Sequence, residues 1–190
     1  LQLAEKNKAR MAFEQAAASN ANMQIKEQAA YNYALCLHET SFSAFGESVT
    51  ALEKFLNEFP TSPYAEKVSS YLVEVYMNTR SYDAALKSID RIAKPSAQIL
   101  EAKQKILFQL GTQSFANADF EQALKYLNQS IAIGQYNRQT KADAYYWCGE
   151  SYYRLNRMVE AARDFNAYLQ LTTQPNNEMY ALANYNLGYI

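Results

Sequence analysis

The only histidine of the chain, His38, follows Cys36 closely and precedes Glu39, and these residue types could hold a metal ion or support a nucleophilic thiol. The surrounding pattern is helical, and side chains two positions apart on a helix point about 200° away from each other. Cys36 and His38 therefore cannot share a site without outside help. We predict an ordinary histidine near a helix end and no metal site.

Acid–base catalysis finds no support in the pattern of carboxylates. The glutamates on predicted solvent-exposed faces form no convergent pair of the kind this chemistry needs; they include Glu101, Glu121, Glu150 and Glu160. The sequence has no phosphate-binding glycine loop, no HExxH motif, no Cys/His metal spacing and no nucleophile elbow. We predict a protein that is not an enzyme and uses no cofactor.

The amino-acid composition limits the partners and the secondary structure that can be expected. The formal net charge is −1 with both signs scattered, so nothing favours nucleic acid or an anionic membrane as partner. No apolar run approaches the roughly 18 residues of a membrane-spanning helix, so we expect no direct membrane insertion. Only five glycines and four prolines occur in 190 residues, which favours long helices. The chain begins at Leu1 rather than Met, so we expect a processed or internal N-terminus.

A repeat of about 38 residues organises the chain. The segment DFEQALKYL at Asp119–Leu127 recurs in degraded form, and a small residue recurs at the start of each predicted second helix. The small residues are Ser48, Ala85, Ala123 and Ala161. Successive members of this set are 37, 38 and 38 positions apart. A fixed period in this range predicts an all-α solenoid of antiparallel helix hairpins.

The period predicts one continuous array over residues 1–190. It divides into a half-hairpin at 2–18, repeats at about 29–58, 66–93, 104–131 and 142–171, and a half-hairpin at 177–190. Neither end shows a polar capping helix. We therefore expect a fragment of a longer protein, with end-to-end self-association through the truncated termini as one alternative.

Glycines in the predicted first helices suggest close helix packing. Gly149 costs about 1 kcal/mol relative to alanine inside a helix and therefore needs a packing reason. We predict that Gly149 and Ala161 allow the two helices of one hairpin to approach closely. Leu110-Gly111 and Ala123 repeat the arrangement one unit earlier.

These residues resemble the tetratricopeptide repeat family, whose pattern has Leu-Gly and Tyr in the first helix and Ala with an aromatic residue in the second. The likeness covers essentially the whole chain and is strongest in 104–131 and 142–171. The period exceeds the family's usual spacing of about 34 residues. That period and the join FLNEFPTSPYAEK look like variant repeats of bacterial cell-envelope proteins, which would place the protein in the periplasm or at the outer membrane.

The resemblance implies a right-handed superhelix whose concave groove, lined by first helices, binds a peptide or partner protein. Groove positions lie one turn either side of the Leu-Gly face. The candidate groove residues are Tyr33, Met77, Phe108, Phe115, Tyr146, Glu150, Tyr153 and Tyr185, with Tyr189 at the last turn. The carboxylate clamp of chaperone-binding members is absent, since only Lys67 and Lys105 could approach it.

Other interpretations of the same residues stay open. The chain has 16 tyrosines, so some rings could only fill gaps between hairpins, and Trp147 is predicted to be a packing residue. The whole segment could be a structural spacer or an oligomerisation module. It could also be a non-catalytic arm of a larger envelope or carbohydrate-uptake protein.

Overall fold

The computed structural model describes residues 2–19, 22–40, 46–78 and 81–190, with side chains described from residue 5 onward. Within these ranges the chain forms ten α-helices and no β-strand, so the predicted all-α class is confirmed for them. The helices are α1 (Gln2–Ala18), α2 (Met23–Thr40), α3 (Glu47–Glu58), α4 (Ala65–Asn78), α5 (Tyr82–Asp90), α6 (Ala97–Ala116), α7 (Phe120–Ala132), α8 (Arg138–Arg154), α9 (Met158–Leu171) and α10 (Glu178–Tyr189).

The chain divides into two compact units, unit 1 (Leu1–Ile99) and unit 2 (Leu100–Ile190). The predicted repeats 29–58 and 66–93 fall in unit 1, where positions 41–45 and 79–80 lie outside the described residues. The later repeats fall in unit 2, and the single continuous array stays a prediction. None of the helices within the described ranges is both long enough and apolar enough to cross a bilayer.

A buried polar network joins α3, α4 and α5 in unit 1. Glu53 on α3 is only 4% exposed, and its carboxylate accepts two hydrogen bonds from the Arg91 guanidinium, each at 2.8 Å. The Ser88 hydroxyl donates to the same carboxylate and lies 2.6 Å from the Tyr76 hydroxyl. A buried carboxylate is tolerated only when it is paired and hydrogen-bonded in this way.

Side-chain caps fix the beginnings of three helices in unit 2. Asp119 accepts a hydrogen bond from the Gln122 amide, Asn137 from the Thr140 amide and Asn177 from the Tyr180 amide. Each satisfies one of the backbone N–H groups that a helix start leaves without a partner. The turns between α6 and α7 and between α8 and α9 also match, because Ala118 and Asn156 adopt left-handed φ values of 60° and 59°.

Gly149 and Gly111 are tightly packed, and the side chains nearest to them are those of Phe165 and Leu127. A Cβ atom at Gly149 would lie 2.8 Å from the Phe165 ring, and one at Gly111 would lie 2.6 Å from the Leu127 side chain. Ala161 and Ala123, which were predicted to allow this close approach, lie one helical turn earlier and are fully buried. A large side chain on the second helix fills the space above each glycine.

Alanine at Gly149 is expected to lower the free energy of unfolding by about 1 kcal/mol. Overpacking costs about 1–3 kcal/mol, and the gain of about 1 kcal/mol in helix propensity offsets only part of it. Gly188 on α10 is the matched control, because a Cβ atom there would meet nothing within 4 Å. Urea denaturation of Gly149→Ala and Gly188→Ala measures the difference. If both variants gain stability equally, packing against Phe165 does not constrain this position.

The start of α8 is held by Gln104, a fully buried residue of α6. Its side-chain amide donates to the Asn137 carbonyl at 2.8 Å and accepts from the Asn137 backbone N–H at 2.9 Å. Ser130 on α7 donates to the Gln104 backbone carbonyl at 2.9 Å. These bonds connect α6, α7 and the loop before α8. They therefore fix the start of α8 relative to α6 and α7.

Candidate partner-binding surface

Side-chain contacts connect α6, α8 and α10, the three helices of unit 2 that correspond to predicted first helices. The rings of Phe115 on α6 and Trp147 on α8 meet edge to face, with centroids 4.9 Å apart. The Asn186 amide on α10 donates to the Glu150 carboxylate on α8 at 2.5 Å. One side-chain contact therefore joins α6 to α8, and another joins α8 to α10.

Helix α10 also carries two exposed tyrosines. Tyr185 and Tyr189 are 61% and 69% exposed, and their ring centroids lie 4.9 Å apart. The Tyr185 hydroxyl donates to that of Tyr189 at 3.2 Å, and this bond, with smaller effects of burial and of Tyr153, raises the pKa of Tyr185. We call the rings of Phe115, Trp147, Tyr153, Tyr185 and Tyr189 the aromatic surface.

Three predicted groove residues are half-buried and contact the core of unit 2. Phe108, Phe115 and Tyr153 pack against its buried cluster while leaving part of each ring accessible. Phe115 also contacts Phe120 on α7, with ring centroids 5.3 Å apart. Such rings are held in place before a partner arrives, which lowers the entropy lost on binding.

Tyr146 does not offer the accessible ring expected of a groove residue. It is 4% exposed, and its ring contacts Phe165 and Tyr168 on α9 at centroid distances of 5.8 and 5.4 Å. A position three residues before Gly149 therefore faces the second helix of its own hairpin. Burial raises the pKa of Tyr146, and the nearby negative charge of Glu150 adds to this effect. Tyr146 therefore belongs to the core of unit 2 and not to its accessible surface.

Glu150 lies between the buried and the exposed rings. It is half-buried, and its Oε1 atom accepts hydrogen bonds from the Tyr146 hydroxyl at 3.3 Å and from the Asn186 amide. Both donors are uncharged. Asn186 was not singled out from the sequence, because an asparagine on a helix has no pattern that marks it as the partner of a carboxylate 36 positions earlier.

The two predicted groove residues of unit 1 lie in different surroundings. Tyr33 lines a cavity of about 590 Å³ formed by α1, α2 and α3, and its hydroxyl lies 3.5 Å from the Glu14 carboxylate. Burial raises the pKa of Tyr33, and the charges of Glu14 and Glu47 add to this. Met77 on α4 is 39% exposed. Unit 1 thus offers a separate concavity but no row of exposed rings comparable to the aromatic surface in its described part.

The histidine and the two cysteines lie within the described part of the chain. The His38 ring packs on that of Tyr71 with centroids 4.8 Å apart. Cys36 and Cys148 are free thiols, and burial raises the pKa of both. A raised pKa keeps a thiol protonated and therefore a poor nucleophile.

No family model matches this chain, and no curated protein shows significant similarity to it. The chemistry of the aromatic surface is therefore the basis for assigning a function.

Proposed function

We propose that the chain is a non-enzymatic interaction module that binds a peptide or protein segment on the aromatic surface of unit 2. The observation that carries this proposal is the pair of exposed tyrosines on α10, Tyr185 and Tyr189, together with the half-buried rings of α6 and α8. Aromatic side chains supply large contact area for little loss of conformational entropy and dominate the energy of many interfaces.

The tetratricopeptide-like architecture forms part of the same proposal. Its support comes from Gly111 on α6 and Gly149 on α8, each of which packs under a large side chain of the next helix. The left-handed turn residues Ala118 and Asn156, separated by 38 positions, are also consistent with a repeated hairpin. In this architecture α6, α8 and α10 are first helices and line the concave face of a right-handed superhelix.

Removing one exposed ring is expected to weaken binding without unfolding the chain. A peptide selected from a random display library on the immobilised chain serves as the probe. In isothermal titration calorimetry, Tyr185→Ala should raise its Kd about tenfold or more, as loss of an aromatic anchor does. Val159→Ala is the matched control, because Val159 is an exposed apolar residue (82%) on α9, outside the aromatic surface. Equal effects of the two substitutions would contradict the proposal.

Self-association through α10 is a competing outcome that the same material can reveal. Leu182 and Ile190 are also substantially exposed, at 41% and 39%. If light scattering shows a concentration-dependent dimer that Tyr185→Ala abolishes, and no peptide is selected, the surface serves assembly between copies instead.

A further inference from the structure

Glu150 differs from three other acidic side chains of unit 2 in the partners it has. Glu101, Glu160 and Asp164 each lie within 2.7–2.8 Å of a basic side chain, in pairs with Lys105, Arg157 and Arg163. Among the residues that the structure describes, no lysine or arginine pairs with Glu150. The hydrogen bonds to its carboxylate come from neutral donors, the Tyr146 hydroxyl and the Asn186 amide.

A second carboxylate, that of Glu178, lies near the tyrosine that donates to Glu150. The pKa of Tyr146, which burial raises first, is raised further by the charges of Glu150 and Glu178. Glu178 begins α10, so it belongs to the helix that carries the exposed tyrosines. A half-buried carboxylate such as that of Glu150 gains more from an incoming cation than a fully solvated one does, because water screens it less.

Aromatic rings next to Glu150 suit the same cation. Tyr153 lies one turn beyond Glu150 on α8, and Tyr185 on α10 lies near enough to Tyr153 for that residue to contribute to its raised pKa. A guanidinium or ammonium group is attracted to the face of an aromatic ring, and arginine can stack on a ring while it donates two hydrogen bonds to a carboxylate. Carboxylate and rings together therefore form a binding site for a basic side chain with apolar neighbours.

We propose that the aromatic surface recognises a basic segment of a partner protein, in which an arginine or lysine pairs with Glu150 and flanking apolar residues contact the rings. This inference rests on the proposed function, because it names the partner class of that same surface. The charge complementarity between Glu150 and a cation selects this occupant over an acidic or a purely apolar segment.

Peptide selection on three immobilised proteins tests the inference. The unaltered chain is expected to enrich peptides with arginine or lysine between apolar residues, and Glu150→Gln is expected to lose that enrichment. Glutamine keeps an oxygen that can accept from Tyr146 and Asn186, so the fold is preserved while the charge is removed. The control is Glu121→Gln, which removes an exposed carboxylate from the first turn of α7.

Affinities of the selected peptide complete the test. Replacing its basic residue with glutamine should weaken binding to the unaltered chain about tenfold, as expected for a charged hydrogen bond, and should change binding to Glu150→Gln much less. Binding to the unaltered chain should also weaken as salt is added.

The two proposals fail in different ways. Enriched peptides without a basic preference, whose binding still depends on Tyr185, would overturn this inference and leave the peptide-binding function in place. An absence of any peptide that depends on Tyr185 would overturn both. Equal loss of enrichment with Glu150→Gln and Glu121→Gln would show that only overall charge matters, and would also overturn the inference.

Discussion

Replacing Tyr146 with alanine is expected to lower the free energy of unfolding of unit 2 by about 3–5 kcal/mol, the range seen when large buried aromatic side chains are truncated. The ring is 4% exposed and contacts Phe165 and Tyr168, so its removal leaves a cavity that helices α8 and α9 can close only in part. Hydrogen exchange of the α8 and α9 backbone amides, together with urea denaturation, measures the loss.

Two control substitutions, one at Tyr146 and one at Tyr153, show how much of this loss comes from the buried ring. Tyr146→Phe keeps the ring and loses only the 3.3 Å bond to Glu150, so it should cost about 1 kcal/mol or less. Tyr153→Ala removes a ring that is only half-buried, and its cost should be clearly smaller than that of Tyr146→Ala. Equal costs for Tyr146→Ala and Tyr153→Ala would show that Tyr146 is not a core residue.

Replacing Glu53 with alanine is expected to lower the free energy of unfolding of unit 1 by about 3 kcal/mol. Removal of one partner from a buried ion pair typically costs about 3–5 kcal/mol, and the lower end applies because the Arg91 side chain is 56% exposed and water can solvate it. The Ser88 hydroxyl, which is fully buried, would lose this acceptor, and the missing carboxylate would leave a cavity between α3 and α5. Urea denaturation followed by far-ultraviolet circular dichroism is the measurement.

Glu58 provides the control within the same helix. Its carboxylate is part of an i,i+4 pair with Lys54 at 3.8 Å, and the Lys54 side chain is 73% exposed. Such surface pairs contribute about 0.5 kcal/mol or less. A loss of stability with Glu58→Ala comparable to that of Glu53→Ala would mean that the buried network has no special importance.

Hydrophobic periodicity was sufficient to predict the all-α class and the tight packing at Gly149, because a glycine inside a strongly helical pattern is unfavourable unless a neighbouring helix needs the space. It did not identify Phe165 as the partner. Residues 161 and 165 occupy the same face of α9, and only the way two helices cross decides which of them lies over the glycine.

The same limit applies to the position of Tyr146. Residues one turn either side of Gly149 look alike in sequence, yet Tyr146 faces α9 while Tyr153 keeps an accessible ring. The buried Glu53 and Gln104 were not identified either. A polar residue within a helical pattern is normally solvated, and only tertiary hydrogen bonds make its burial favourable.

Trp147 has a practical consequence for studying this protein. It is the only tryptophan among the 190 residues, and its indole ring lies between Phe115 and Tyr146 within unit 2. Its fluorescence, excited where the sixteen tyrosines absorb little, therefore reports on unit 2 alone. Unlabelled protein thus carries an optical probe whose emission follows the melting of one unit and responds when a ligand covers the adjoining rings.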